Sequence, residues 1–279
     1  MNLFKRIPAV LLLLCAFTLN AQPPPEKTPF TFAVLADVQY GDKDSRKLRH
    51  YRESLQRLDE CVADLNYRNP AFVIQLGDII DGYAGDIARS AQDLDTVLAT
   101  YNRLAMPHYS VFGNHCVMAN RDSLLQKYGL EKSYYDFTIP EAEGWRFVVL
   151  DGMNAGEGAL GTRQINWLCA LLRQAAERRE KVICFCHFPL TGRAALIDAQ
   201  EVIRTMSETG CVAAWFAGHV HTGGHLVTND GLHQITLHGM VESSARNAYA
   251  LIEIRPDRLL ETGIGDEPSR ELPFGKPAK

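Results

Sequence analysis

The sequence predicts an α/β chain with an all-β end, folded as one domain. Three observations carry that reading. Short apolar runs alternate with segments whose apolar residues recur at three- and four-residue steps, the strand–helix alternation of an α/β fold. From Gln234 to Ile254 the pattern turns to shorter strands with no helix between them. No internal repeat or low-complexity linker interrupts the chain after Pro25.

Phe30 to Ala36 reads as the first strand. Leu48, Tyr51, Leu55, Leu58, Val62 and Leu65 then mark one face of a long helix. Ala71 to Leu76 is a second strand, and Leu94, Val97, Tyr101 and Leu104 mark a second helix. Tyr109–Phe112, Phe147–Leu150, Val182–Cys186 and Val212–Ala217 are further strands, with a helix through Ile165, Leu168 and Leu172 among them.

The N-terminus reads as a targeting segment. Lys5 and Arg6 precede an apolar core from Ala9 to Phe17, and Asn20-Ala21-Gln22 offers a small residue for cleavage. Residues 1–21 are therefore predicted as a signal peptide and 22–29 as a Pro-rich linker. Residues 30–265 form the folded domain and 266–279 a C-terminal tail. A lipid-anchored alternative would make Cys15 the first mature residue, but Leu14 stands where a small residue is expected. The apolar run is shorter than the roughly 20 residues of a membrane span. The expectation is an exported protein, periplasmic or secreted, with no stable span after cleavage.

The formal net charge of −4 gives no broad field for a nucleic acid duplex or an anionic membrane, and loss of Lys5 and Arg6 lowers it by two more. A phosphate-bearing substrate must be met by local charge. Six cysteines remain after Cys15 leaves: Cys61, Cys116, Cys169, Cys184, Cys186 and Cys211. They fall in apolar strands or helix-like stretches and read as buried free thiols. No CxxC pair suggests a zinc or redox site.

Function is read from what ends the strands. Five apolar runs deliver a metal-capable side chain at the carboxyl end: Asp37, Asp78, Asn114 with His115, His187, and His219 with His221. In α/β sheets that edge is where ligands bind. Asp37 and Gln39 are two residues apart, as are His219 and His221, so each pair can face one cavity. Gly77, Gly113 and Gly218 precede three of these groups, where a tight turn is needed. A lone histidine of this kind is usually structural; His225, His233 and His238 are read so, as surface or packing residues.

Asp37-x-Gln39, Gly77-Asp78-x-x-Asp81, Gly113-Asn114-His115, His187 and Gly218-His219-x-His221 resemble the ordered motif set of the calcineurin-like metallophosphoesterases. The resemblance spans about Phe30 to Ile254. It implies two packed mixed β-sheets flanked by helices, an α/β/β/α sandwich, over the domain 30–265. A narrower likeness lies in Ala36-Asp37-Val38-Gln39-Tyr40, Arg49-His50-Tyr51-Arg52, Gly161-x-x-Gln164-x-x-Trp167-Leu168 and Gly218-His219-Val220-His221-Thr222-Gly223-Gly224. These are similar to the manganese-dependent ADP-ribose/CDP-alcohol diphosphatases. Two departures stand out: those enzymes carry a longer insertion between the positions of Asp151 and Gly161, and an acidic residue where this chain has Cys116.

The resemblance assigns Asp78 as the bridge between two divalent ions. It gives Asp37, Gln39 and His221 to one ion and Asn114, His187 and His219 to the other. This mixed oxygen and imidazole set suits Mn2+, with Fe2+ or Zn2+ able to substitute. Asp81 is expected behind the ligands, with a turn-forming role as the alternative. His115 is expected to be the catalytic residue, steadying charge on the phosphoryl oxygen or protonating the departing group. His50 and Arg52, placed on the first helix, read as a solvated face, with substrate contact as the alternative that the resemblance implies.

The expected activity is hydrolysis of a small phosphorylated substrate, a nucleoside diphosphate linked to a sugar or alcohol. A broader phosphodiesterase or phosphomonoesterase is the alternative. A catalytically silent metal-binding interaction module is a third reading, which would call for lost ligands or a replaced His115; neither is seen.

Overall fold

The computed structural model describes residues 30–228, 230–242 and 246–275, so the expected signal peptide and linker lie outside the described residues. In chain order the elements are β1 (Phe30–Leu35), α1 (Glu53–Arg68), β2 (Val73–Gln75), α2 (Ile87–Tyr101), β3 (His108–Ser110), α3 (Arg121–Tyr128), β4 (Tyr135–Phe137), β5 (Trp145–Leu150), α4 (Thr162–Glu177), β6 (Lys181–Cys186), α5 (Ala199–Thr209), β7 (Val212–Ala217), β8 (Thr222–Val227), β9 (His233–His238), β10 (Ala248–Ile254), β11 (Arg258–Gly265) and β12 (Arg270–Pro273). They form two six-stranded sheets, β12-β11-β10-β1-β2-β3 and β4-β5-β6-β7-β9-β8. β1, β2 and β3 run parallel, as do β5, β6, β7 and β9; the remaining pairings are antiparallel.

Alternation along the strands builds the layers. In β1, Phe30, Phe32 and Val34 enter the core between the sheets, while Ala33 and Leu35 face α1 and α2. In β6, Ile183 and Phe185 enter the same inter-sheet core, while Val182, Cys184 and Cys186 pack toward α4 and α5. Both faces of these strands are covered, so they read as continuous apolar runs. The inter-sheet core is aromatic: Phe32 stacks on Phe72 at 4.8 Å between ring centroids, and Phe72 meets Phe147 edge-on at 4.9 Å. Burial of each ring contributes about 1.5–3 kcal/mol. The result is the expected α/β/β/α sandwich.

Several boundaries differ from the sequence reading. α1 begins at Glu53, and Leu48, read as its first apolar position, is 68% exposed. Arg46 and Arg49 exchange backbone hydrogen bonds there, and His50 N donates to Val241 O at 2.9 Å, so those amides are committed to a turn. His50 and Arg52 therefore precede the helix. α2 stops at Tyr101, leaving Leu104 to pack from the following turn. α3, α5, β4, β8, β11 and β12 were not foreseen; α3 buries only Leu124, and β8 is largely exposed. The segment expected as a tail, 266–279, instead supplies β12, whose residues pair with β11 from Arg258 to Glu261. All six cysteines of the described domain are free thiols.

β12 also brings a charge cluster into the edge of the first sheet. Arg270 Nη1 donates to Glu261 Oε2 at 2.7 Å and to Glu267 Oε1 at 3.1 Å. Burial, opposed by Arg270 and reinforced by Glu267, pushes the Glu261 carboxyl up from 4.5 to about 7. The folded state then holds this proton more tightly than the unfolded chain does. Its stabilising contribution is full below about pH 4.5 and is lost as pH rises through about 7. Glu261→Gln, neutral throughout, is therefore expected to gain stability relative to the parent chain between about pH 5 and pH 8, which urea midpoints at the two pH values would check.

Candidate metal centre

The carboxyl ends of β1, β2, β3, β6 and β7 meet at the seam between the two sheets. Asp37 and Gln39 follow β1, Asp78 follows β2, Asn114 follows β3, His187 follows β6, and His219 and His221 follow β7. Backbone bonds lace these ends together: Gln39 N donates to Asp78 O at 2.8 Å and Gly218 N to His187 O at 3.0 Å.

Asp78, 1% exposed, lies at the centre. Its Oδ1 accepts from His115 N at 2.8 Å, and its Oδ2 lies 3.1 Å from His187 Nε2 and accepts from Gln39 Nε2 at 3.4 Å. His187 Nε2 is also 3.1 Å from Asn114 Oδ1 and 3.2 Å from His219 Nδ1. Asp78, His187 and His219 offer ligand atoms all within 4.8 Å of one another. On the other side Asp37 Oδ1 is 3.3 Å from His221 Nε2, and Asp37 Oδ2 accepts from His219 N at 2.9 Å. The structure thus brings together all seven side chains proposed as ligands from sequence.

The backbone is bent to make this possible. Asp37, Gln39, Asp78 and His219 have φ of 51°, 41°, 47° and 67°, half of the eight non-glycine residues with positive φ among those described. Such conformations cost on the order of 1–3 kcal/mol each and persist where the surroundings dictate them. Two glycines make room: a Cβ on Gly113 would overlap Asp78 Oδ1, and one on Gly218 would sit 2.5 Å from Asp37 Oδ2.

The donor set fits a pair of divalent cations. Asp37 Oδ1 and Gln39 Oε1 are buried without a hydrogen-bond partner, as oxygens that would face a cation are. His187 Nδ1 donates to Leu76 O at 2.9 Å, and His221 Nδ1 to Glu242 Oε1 at 2.7 Å. Each bond fixes Nδ1–H and turns Nε2 toward the carboxylates, the ring atom that a metal would take up once deprotonated.

Charge tells the same story. Burial would lower the His187 imidazole, but Asp78 beside it and Asp37 beyond it lift it to about 9. Burial would raise the Asp78 carboxyl, but His187 and the His115 amide hold it well below the usual carboxylate range. Burial and the neighbouring His187 push His219 down to about 4, so its lone pair is free at neutral pH. A proton on His187 stands where the acceptors require a cation.

His115 and Asp81 stand beside the cage. His115 Nδ1 donates to Asp81 O at 2.7 Å and lies 3.3 Å from Asp81 Oδ1, which leaves Nε2 for other work. Asp81 also pairs with Lys43. Sequence reasoning missed Glu242, the partner of His221, and Phe188, whose ring lies 4.5 Å from that of His219. Phe188 immediately follows His187, a signal that was available; Glu242 has no strand end to mark it. Asp151 ends β5 in the same way as the ligands end theirs, but it pairs with Arg121 and accepts from Met153 N, and so serves the fold. His233 is buried and bonded to Pro273 O, and His238 packs against Glu267, so both serve the fold as expected.

A divalent cation held by His187 would have to displace its proton to reach Nε2. Mn2+ affinity is therefore expected to rise with pH up to about 9, by up to about tenfold per unit, and to level off above. Calorimetric titration in two buffers of different ionisation enthalpy should register the release of about one proton per chain near pH 7.

The calcineurin-like phosphoesterase family model matches residues 30–223. A manganese-dependent ADP-ribose/CDP-alcohol diphosphatase from Oryza sativa subsp. japonica is 31% identical, covering 88% of this chain and 94% of that protein. The Homo sapiens protein of the same name is 25% identical over 88% of this chain and 93% of its own length. The crystal structure of a dimetal phosphatase from Danio rerio superposes with a TM-score of 0.80 at 25% identity, over 88% of this chain and 99% of that one. With the fold, the ordered motifs and the seam all in agreement, the chain belongs to the calcineurin-like phosphoesterase family.

Proposed function

We propose that the chain hydrolyses the phosphoanhydride bond of a nucleoside diphosphate linked to a sugar or alcohol, at two Mn2+ ions held by Asp37, Gln39, Asp78, Asn114, His187, His219 and His221. The observation that carries this reading is the meeting of those seven side chains about Asp78, on a chain 31% identical to a diphosphatase over nearly its whole length. Asp78, between His187 and the His115 amide, would be shared by the two ions. Asp37, Gln39 and His221 would hold one; Asn114, His187 and His219 would hold the other. When bound, such a pair of ions neutralises phosphoryl oxygens and activates water as the nucleophile.

The chain supplies the rest. His115 Nδ1 is fixed on Asp81 O, so its Nε2 is the atom that steadies the phosphoryl oxygen or gives a proton to the departing group. Phe188 covers His219 with an apolar ring and keeps water from that flank. Residues 1–21 support export, which fractionation of expressing cells would test.

One observation favours a broader phosphodiesterase as the second reading. The segment from Asp151 to Gly161 closes tightly on itself, Ala159 N donating to Gly152 O at 2.8 Å and Ala155 N to Ala159 O at 3.1 Å. A short loop there leaves less protein to enclose a nucleotide.

The mature chain with Mn2+, assayed on ADP-ribose, CDP-choline and p-nitrophenyl phosphate esters, separates the two. Turnover of the diphosphates is expected; activity confined to the phenyl esters would overturn the first reading. His115→Asn is expected to lower kcat by about 10²–10⁴-fold while Mn2+ affinity holds, as calorimetry beside steady-state kinetics would show.

A further inference from the structure

We propose that Arg49 is a positioning residue that holds the Glu242 carboxylate against the His221 imidazole of the metal centre, its other arm facing Asp81. The proposal rests on the reading of that centre given above and extends it to a residue outside the cage.

Arg49 sits in the turn before α1, and its guanidinium faces two acids at once. Nε lies 3.3 Å from Glu242 Oε1, the same oxygen that accepts from His221 Nδ1 at 2.7 Å. Nη1 lies 3.9 Å from Asp81 Oδ1, the same oxygen that stands 3.3 Å from His115 Nδ1. Glu242 Oε1 is thus shared between Arg49 and His221, whereas Asp81 Oδ1 faces Arg49 and His115 without a hydrogen bond to either, the His115 Nδ1 proton being held by Asp81 O. A planar guanidinium presents donors in two directions from fixed positions, which a lysine ammonium does not.

The backbone holds this arrangement in place. His50 N donates to Val241 O at 2.9 Å, Arg57 Nε to Met240 O at 2.9 Å, and Arg57 Nη2 to His50 O at 3.1 Å. These bonds tie the Arg49 turn to Met240–Glu242, the short helical segment that carries Glu242. That segment is itself fixed on the cage, since Val241 N donates to Asp37 O at 3.0 Å.

The two arms are unequal. Lys43 also pairs with Asp81, so Asp81 keeps a cation when Arg49 is removed. Among the described residues Arg49 is the only lysine or arginine paired with Glu242. Loss of Arg49 should therefore fall more heavily on His221, a metal ligand, than on His115.

The test is Mn2+ titration of the full chain by calorimetry, which needs no substrate and so stands apart from the choice of substrate. The parent chain must bind Mn2+ for the metal reading itself to hold. Arg49→Ala and Glu242→Gln are each expected to weaken Mn2+ binding by about ten- to hundredfold, and the double variant to be no weaker than Glu242→Gln alone. Arg49→Lys should not restore parental affinity. Arg52→Ala, from the same turn but paired with Asp42 and Asp44, should leave Mn2+ binding unchanged. Additive losses in the double variant would overturn the proposal. So would full rescue by lysine, an equal loss in Arg52→Ala, or parental Mn2+ affinity in Arg49→Ala.

Discussion

The carboxylate of Asp78 is the point through which the two halves of the molecule become one site. It ends β2 in the first sheet, yet one of its oxygens is 3.1 Å from His187 of the second. Its other oxygen is held by the His115 amide, which belongs to the loop after β3. A buried carboxylate with this many directed neighbours is stable only as a charge matched by cations. In the protein alone, the match is a proton on His187; with ions bound, the same geometry serves them. The requirement to neutralise Asp78 therefore dictates which strands must end together and how their turns must run.

That requirement sets the backbone against its own preferences. Four residues of the cage adopt left-handed φ values that side chains with a Cβ seldom take, and two glycines nearby tolerate no replacement without overlap. The strain is local, and the rigidity that sustains it comes from elsewhere. Three apolar clusters, one between the sheets and one on each outer face, fix the strands from which these turns spring. Rigid strands with strained ends are a common way to hold several polar groups at close quarters before any ligand arrives.

Much of this was legible in the sequence because the proposed ligands obey a simple rule. An apolar run that ends in a polar, metal-capable residue signals both a buried strand and what it presents, and Asp37, Asp78, Asn114, His187 and His219 all follow that rule. The rule is not sufficient. Asp151 obeys it and is taken up by Arg121 instead. Nor is it complete, since Glu242 and Arg49 lie in turns whose residues carry no periodic signal. Helical periodicity misled at Leu48, which fits the spacing of α1 but lies in a turn fastened to Val241 by a contact distant in sequence. The short polar helix α3 and the exposed strand β8 bury too little to leave a pattern. β12 went unread because its pairing with β11 is a property of the sheet edge and not of four residues.

The stacked phenylalanines between the sheets have a consequence far from their own location. Phe32, Phe72, Phe147 and Phe185 act as a spacer whose thickness sets how far apart the two sheets stand. The distance from Asp78 to His187 is measured across that spacer. Thinning the stack would let the layers settle closer or shear, and the first property to drift would be coordination geometry, ahead of any visible loss of fold. Variants of this kind would look like catalytic lesions in an assay while being, in origin, errors of carpentry.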